Sequence, residues 1–148
     1  MNLRSASQVN AGTVAMVAPE FRFGLRVYWE DTDAGGVVFY ANYLKFFERA
    51  RTEWLRTMGI EQESMRRDAG LMFVVTDTSL HYRQAARLDD QLVVTARLLE
   101  LRRASLRIAQ QAWRGAELLT DGTIRLACVD VATFRPRPLP TLSTQELE

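Results

Sequence analysis

Glu30-Asp31-Thr32-Asp33-Ala34-Gly35-Gly36-Val37-Val38-Phe39-Tyr40-Ala41-Asn42-Tyr43 lies between two different hydrophobic periods. Before it, Phe23, Leu25, Val27 and Trp29 alternate with Gly24, Arg26, Tyr28 and Glu30, which predicts a half-buried strand from about Phe21 to Trp29. After it, Tyr43, Phe46, Phe47, Ala50, Trp54 and Met58 recur at helical spacing. The helix is expected to open near Ala41 or Asn42 and to stop at Gly59, a residue suited to the left-handed C′ position. A loop with two acids and two adjacent glycines therefore joins a strand to a long helix. Such a junction sets carboxylates beside free backbone N–H groups and the positive end of a helix dipole. It can bind and polarise a carbonyl oxygen.

Beyond the helix, Glu61 to Asp68 predicts a short helical turn closed by Gly70. The pattern then changes to period two. Val74, Thr76, Thr78, Leu80 and Tyr82 alternate with Val75, Asp77, Ser79, His81 and Arg83. Leu88-Asp89-Asp90 reads as a turn, Gln91 to Leu101 as a strand, and Ser105 to Trp113 as the next. Arg114-Gly115 supplies a hairpin turn into a last strand from about Leu118 to Val131, with a bulge expected at Asp121-Gly122. Arg135 to Pro140, with three prolines, ends regular structure. The expected architecture is α+β, one long helix packed on a five-stranded antiparallel sheet. Residues 1–20 read as a mobile leader, 21–140 as the domain and 141–148 as a tail able to form a helical turn. One helix covers one face only. Val93-Val94 and Leu98-Leu99 place apolar residues on both faces of their strand, so the second face or an edge is expected to meet another subunit.

A chain of 148 residues builds one domain with a real core. A formal charge of +1 provides no bulk attraction to nucleic acid or a membrane surface. The single Cys128 excludes an intramolecular disulfide and reads as a small buried hydrophobe. No apolar run approaches the roughly 20 residues of a membrane helix, and Val14 to Ala18 is too short for a signal-peptide core. The expected compartment is the cytoplasm.

Several chemistries fail on the residues themselves. Asp31-x-Asp33 with Gly36 resembles the start of a calcium loop, but the twelfth position is Asn42, not an acid. A two-carboxylate magnesium site stays open on the residues, although no phosphate-binding loop accompanies it. His81, the one histidine, sits mid-strand, far in sequence from any activated serine or cysteine signature. Two readings of the loop stand. Either Asp31 or Asp33 acts as nucleophile or general base, with an oxyanion held by main-chain N–H groups near Phe39 to Ala41; or the aspartates close a turn, as loop aspartates often do.

The stretch R-V-Y-W-E-D-T-D-A-G-G-V-V-F-Y-A-N-Y-L-K-F-F-E-R-A-R-T-E-W-L, from Arg26 to Leu55, strongly resembles the YbgC-type acyl-CoA thioesterases associated with the bacterial Tol–Pal system. These belong to the wider 4-hydroxybenzoyl-CoA thioesterase family of hot-dog folds. Ala86-Arg87-Leu88-Asp89-Asp90, Cys128-Val129-Asp130 and the R-P-R-P-L-P end fit the same family, so the likeness runs over roughly residues 22–140. It implies a hot-dog fold, with one long central helix wrapped by a five-stranded antiparallel sheet. It also implies hydrolysis of an acyl-CoA thioester without metal or redox cofactor.

The resemblance places the catalytic carboxylate on Asp33 and the thioester-binding main-chain N–H on Tyr40, with Gly35 and Gly36 letting the backbone approach the substrate. The Tol–Pal subgroup typically has histidine where this chain has Tyr40, as the hydroxybenzoyl-CoA enzymes do. A main-chain donor is indifferent to that exchange, whereas an acid–base part for the side chain and the acyl preference are not. The basic turn carrying Arg102, Arg103 and Ser105 is implied to hold the CoA nucleotide, with Arg135 and Arg137 as weaker candidates serving a neighbouring subunit. Glu48 stands where some related enzymes keep an acid, and with Asp33 in place it reads as structural. The implied partners are an acyl-CoA, an acyl carrier protein as a further donor, and further copies of the chain in a homodimer or homotetramer. Nucleic acid and membrane insertion are not implied. A hot-dog dehydratase or hydratase would need an active-site histidine, which the loop lacks. A binding partner that keeps the fold and has little turnover is the non-enzymatic alternative.

Overall fold

The computed structural model describes residues 20–142, so the expected leader and tail, apart from Glu20, Thr141 and Leu142, lie outside the described residues. Five strands form one antiparallel sheet: β1 (Phe21–Arg26), β2 (Leu71–Tyr82), β3 (Gln91–Leu101), β4 (Ser105–Arg114) and β5 (Glu117–Asp130). Their spatial order is β1-β3-β4-β5-β2. Consecutive strands β3, β4 and β5 are neighbours through tight turns, and Gly115 takes the left-handed conformation (φ 59°) that the β4–β5 turn requires. β1 and β2 are the two edges.

The helix α1 (Asn42–Thr57) crosses one face of this sheet. Its apolar stripe of Tyr43, Phe46, Phe47, Ala50, Trp54 and Leu55 is buried against Val94, Ala96 and Leu98 of β3, Ile108 of β4 and Ile124 of β5. Phe46 and Phe47 are wholly inaccessible, and each such burial contributes roughly 1.5–3 kcal/mol. Beyond Met58 the helix closes as a Schellman motif. Gly59 N–H returns to the Arg56 carbonyl (3.0 Å) and Ile60 N–H to that of Leu55 (2.9 Å), with Gly59 at φ 83° as its sequence position predicted. One polar strut crosses the core. Gln110 donates from Nε2 to the carbonyls of Phe47 (3.0 Å) and Thr95 (3.2 Å) and accepts from Arg51 Nη1 (3.2 Å), so helix and sheet share a fully paired amide. Burial pushes the Arg51 guanidinium below its ordinary pKa, partly offset by Glu48.

Three expectations need correction. The first strand ends at Arg26 rather than Trp29, because the Asp31 carboxylate accepts Tyr28 N–H (2.8 Å) and winds Trp29–Asp31 into a 3-10 turn. Trp29, 80% exposed, is therefore not a strand residue facing the core. No bulge interrupts Asp121-Gly122, which stay in register with both β2 and β4; the irregularity falls one turn earlier, where Leu119 is the extra residue between Ala112↔Thr120 and Trp113↔Leu118. Gly122 serves close approach instead, since a Cβ there would collide with the Ser79 carbonyl oxygen. The Leu98-Leu99 pair likewise reflects a bulge between Leu98 and Glu100, not a second apolar face. That outer face carries a ladder of charge in which Glu100 pairs with Arg107 (3.4 Å) and Arg125 (3.7 Å), and Arg125 stands opposite Asp77.

Candidate active site

The strand–helix junction is built by main-chain bonds that its two aspartates organise differently. Asp31, 6% exposed, is structural: its carboxylate holds Tyr28 N–H, and its carbonyl accepts Phe39 N–H (3.0 Å) and the Asn42 side-chain amide (2.8 Å). Between these anchors, Thr32 pairs with Val38 and Asp33 N–H bonds the Val37 carbonyl (2.9 Å), folding residues 32–38 into a small hairpin. Its tip is closed by Gly36 N–H to the Asp33 carbonyl (3.0 Å), with Gly36 at φ 82°.

Asp33 is exposed at that tip. Its Oδ1 accepts Gly35 N–H (2.8 Å), the turn-closing contact of a loop aspartate, and its Oδ2 has no partner among the described residues. A Cβ on Gly35 would lie 3.3 Å from Oδ1, so glycine gives this carboxylate its seat. Tyr40 lies seven residues on, and α1 opens just after it at Asn42, with Ala41 as an N-cap that makes no side-chain capping bond and no acid in the first turn. Asn42 N–H reaches the Phe39 carbonyl (2.8 Å) and Leu44 N–H that of Ala41 (3.1 Å), but Tyr40 N–H and Ala41 N–H find no acceptor among the described residues. Free amides at the positive end of a helix, with no competing carboxylate, attract an oxyanion. The hairpin sets Asp33, Gly35 and Gly36 at its tip, and Tyr40 follows two residues after its return strand, at the entry to α1.

Tyrosines wall this corner. Tyr82, the last residue of β2, donates from Oη to the Tyr40 carbonyl (3.0 Å) and sets its ring edge-on to Tyr40 and to Tyr43 at 6.1 and 5.7 Å. Tyr43 in turn accepts Ala86 N–H (3.3 Å), and burial pushes its phenol above the ordinary range. Burial, with the neighbouring phenols, raises Tyr82 as well. A cavity of about 260 Å³ opens here, lined by Val38, Tyr40, Tyr43, Tyr82, Arg83 and Ala85 among others. A larger hollow of about 580 Å³ sits at the opposite end of α1, among Gly59, Ile60, Met65 and Pro140, and Asp33 lines neither cavity. Sequence reading missed Tyr82 and Tyr43 as site residues. One ends an ordinary alternation and the other looks like core, and only the fold brings the two rings into contact.

The basic turn lies elsewhere. Arg102 and Arg103 lie in the β3–β4 connection and Ser105 opens β4, at the far end of β3 from the junction, and a strand of that length spans on the order of 30 Å. Arg102 already pairs with Glu100 (2.7 Å), Arg137 with Asp130 (2.8 Å), while Arg103 is exposed and lends its carbonyl to Leu139 N–H (2.9 Å). Within one chain these residues and Asp33 do not share a site. His81 stands on the exposed outer side of β2, in register with Asp121, and plays no part in the junction.

The family model described as the thioesterase superfamily matches residues 35–120, from the glycines of the loop through most of the sheet. Acyl-CoA thioesterase YbgC of Haemophilus influenzae is 44% identical over 120 residues, covering 81% of this chain and 88% of that protein. Acyl-CoA thioester hydrolase YbgC of Escherichia coli is 40% identical over 121 residues, covering 81% and 90%. Among solved structures, that of a probable thioesterase from Bartonella henselae superposes with a TM-score of 0.78 at 32% identity, covering 82% of this chain and all of that one. A helix on a five-stranded antiparallel sheet, shared with these thioesterases, is the hot-dog fold, and the chain belongs to the thioesterase superfamily.

Proposed function

We propose that this protein hydrolyses an acyl-CoA thioester to the free acid and CoA, with Asp33 as the catalytic carboxylate and Tyr40 N–H as the oxyanion donor. The observation that carries this reading is a solvent-reaching carboxylate seated on a glycine turn, on the hairpin that leads directly into an uncapped helix N-terminus. A thiolate leaves readily, so a carboxylate and an oxyanion donor suffice. As general base, Asp33 takes a proton from water while the water oxygen bonds to the carbonyl carbon. Tyr40 N–H holds the oxyanion, which collapses as the C–S bond breaks, and the thiolate recovers the proton. As nucleophile, the carboxylate itself displaces the thiolate, giving a mixed anhydride that water opens. The names of the YbgC relatives support the substrate class. Turnover in ¹⁸O-water tests the reaction: one ¹⁸O should enter each acid released, with CoA formed one for one. A dehydratase would release no CoA, and a binding partner would hold acyl-CoA without consuming it.

The distance between the junction and the basic turn favours a site shared between copies, with Arg102, Arg103 and Ser105 meeting the CoA nucleotide of a neighbouring subunit. Edge strand β2 supports such an assembly, for it is 12 residues long, bonded on one side only and exposed over Val75–Ser79. Sedimentation at micromolar concentration should give a dimer or tetramer, and a stable monomer would contradict the shared site. Replacing Arg102 and Arg103 together with Ala should raise KM for acyl-CoA about tenfold or more with kcat little changed, because contacts remote from the carbonyl contribute uniform binding. An acyl-pantetheine lacking the nucleotide should be unaffected. Equal impairment of both substrates would remove this turn from the nucleotide site.

A further inference from the structure

We infer that Arg114, at the β4–β5 turn, is a positioning residue for the proposed thioester hydrolysis, acting through Asp90 and the loop 83–90 on the segment that carries Tyr40. The inference rests on the reading of Tyr40 N–H as the oxyanion donor. Arg114 makes no contact with the junction itself. Its Nη1 donates to Asp90 Oδ2 (2.7 Å) and to the Ala85 carbonyl (3.1 Å), while its Nε meets Glu117 (2.9 Å) on the outside of the turn. Asp90 Oδ2 also accepts Arg87 N–H (2.8 Å), and the Asp90 carbonyl accepts Val27 N–H (2.9 Å). One carboxylate and one guanidinium thus hold both ends of the loop Ala85–Asp90.

That loop in turn holds the catalytic hairpin. Val38 N–H donates to the Ala86 carbonyl (2.8 Å), and Val37 bridges to Arg87. Tyr40 follows two residues later, before any helical bond has fixed the chain. Ala86 N–H also anchors the Tyr43 hydroxyl (3.3 Å), and Arg83 and Ala85 form part of the wall of the 260 Å³ cavity. The Arg114–Asp90 pair is about three-quarters shielded, with side chains 28% and 24% exposed, where a paired charge holds its geometry better than at an open surface. Burial works against the ionised Asp90 carboxyl, yet Arg87 N–H and Arg114 outweigh it and hold the group below the ordinary carboxylate range. Asp89 turns the loop in the left-handed region at φ 71°, which aspartate adopts more readily than most side chains.

The test compares Arg114→Ala, Arg114→Lys and Glu117→Gln, each assayed well below its own unfolding midpoint with rates normalised to folded protein. A small displacement of an oxyanion donor costs up to about 10²-fold in rate. Arg114→Ala should therefore lower kcat about 10–100-fold with KM changed less than about threefold. Lysine should restore part of the loss, because an ammonium carries the charge without the planar fork. Glu117→Gln should stay within about twofold of wild type, since it leaves the Asp90 side of Arg114 intact. Amide hydrogen exchange gives a readout independent of catalysis. The Val38 amide should exchange at least tenfold faster in Arg114→Ala and unchanged in Glu117→Gln. Wild-type kcat in folded Arg114→Ala, or no change in Val38 exchange, would overturn the inference. If the wild-type protein released no CoA, the functional reading would fall, while Val38 exchange would still decide whether Arg114 holds the hairpin.

Discussion

Asp33→Asn is expected to lower kcat for acyl-CoA hydrolysis by about 10²–10⁴-fold, with the fold intact and Kd for acyl-CoA within a few-fold of wild type. The amide is nearly isosteric and can still accept Gly35 N–H, so the glycine turn survives. It can neither attack a thioester nor take a proton from water. Binding should persist because the proposed carbonyl contact is the main chain of Tyr40. Asp31→Asn is the matched control. Its side chain is buried and accepts Tyr28 N–H, a role an amide oxygen fills, so turnover should be retained with at most a modest loss of thermal stability. Turnover retained in folded Asp33→Asn and lost in Asp31→Asn would mean that the other acid is catalytic. Turnover retained in both would move the chemistry away from this loop.

Gly122→Ala is expected to destabilise the protein by roughly 1–3 kcal/mol, and by more if the strands cannot part. The added Cβ would strike the Ser79 carbonyl oxygen and come within 2.6 Å of Leu80 Cδ2. Neither β2 nor β4 can yield freely, because Gly122 stands in register with Leu80 on one side and Gln110 on the other. Tyr82 lies two residues beyond Leu80, so activity should fall with stability. Gly24→Ala on edge strand β1 provides the contrast, with nothing within 4 Å of its new methyl group. Chemical denaturation should show a lowered midpoint for Gly122→Ala and little change for Gly24→Ala. An unchanged midpoint in Gly122→Ala would show that β2 and β5 are spaced more widely than the sheet described above.

What the sequence revealed follows from how local each determinant is. The helix was legible because its apolar residues repeat at 3.6 and Gly59 ends it, and β3 ran over the expected Gln91–Leu101 because each end is marked by polar turn residues. Alternation alone misplaced Trp29, for nothing local reveals that the Asp31 carboxylate turns the chain before it. Composition alone predicts a bulge at Asp121-Gly122, whereas the glycine answers to a neighbouring strand's backbone. The Asp33 hairpin could be read because its acids, glycines and helix start are contiguous. Tyr82 could not, being 42 residues from the Tyr40 carbonyl it bonds, nor could Arg114, which lies 24 residues from Asp90. The basic turn shows the opposite limit. It was legible as a motif, but its distance from the loop is a property of the sheet.

The most direct measurement of the central claim is thiol release by the wild-type protein across straight-chain acyl-CoAs of increasing length and aromatic acyl-CoAs. The account predicts stoichiometric release of CoA with at least one class, at a rate that falls with Asp33→Asn and needs no added metal. Folded wild-type protein that binds acyl-CoA yet releases no thiol from any of these substrates would contradict it.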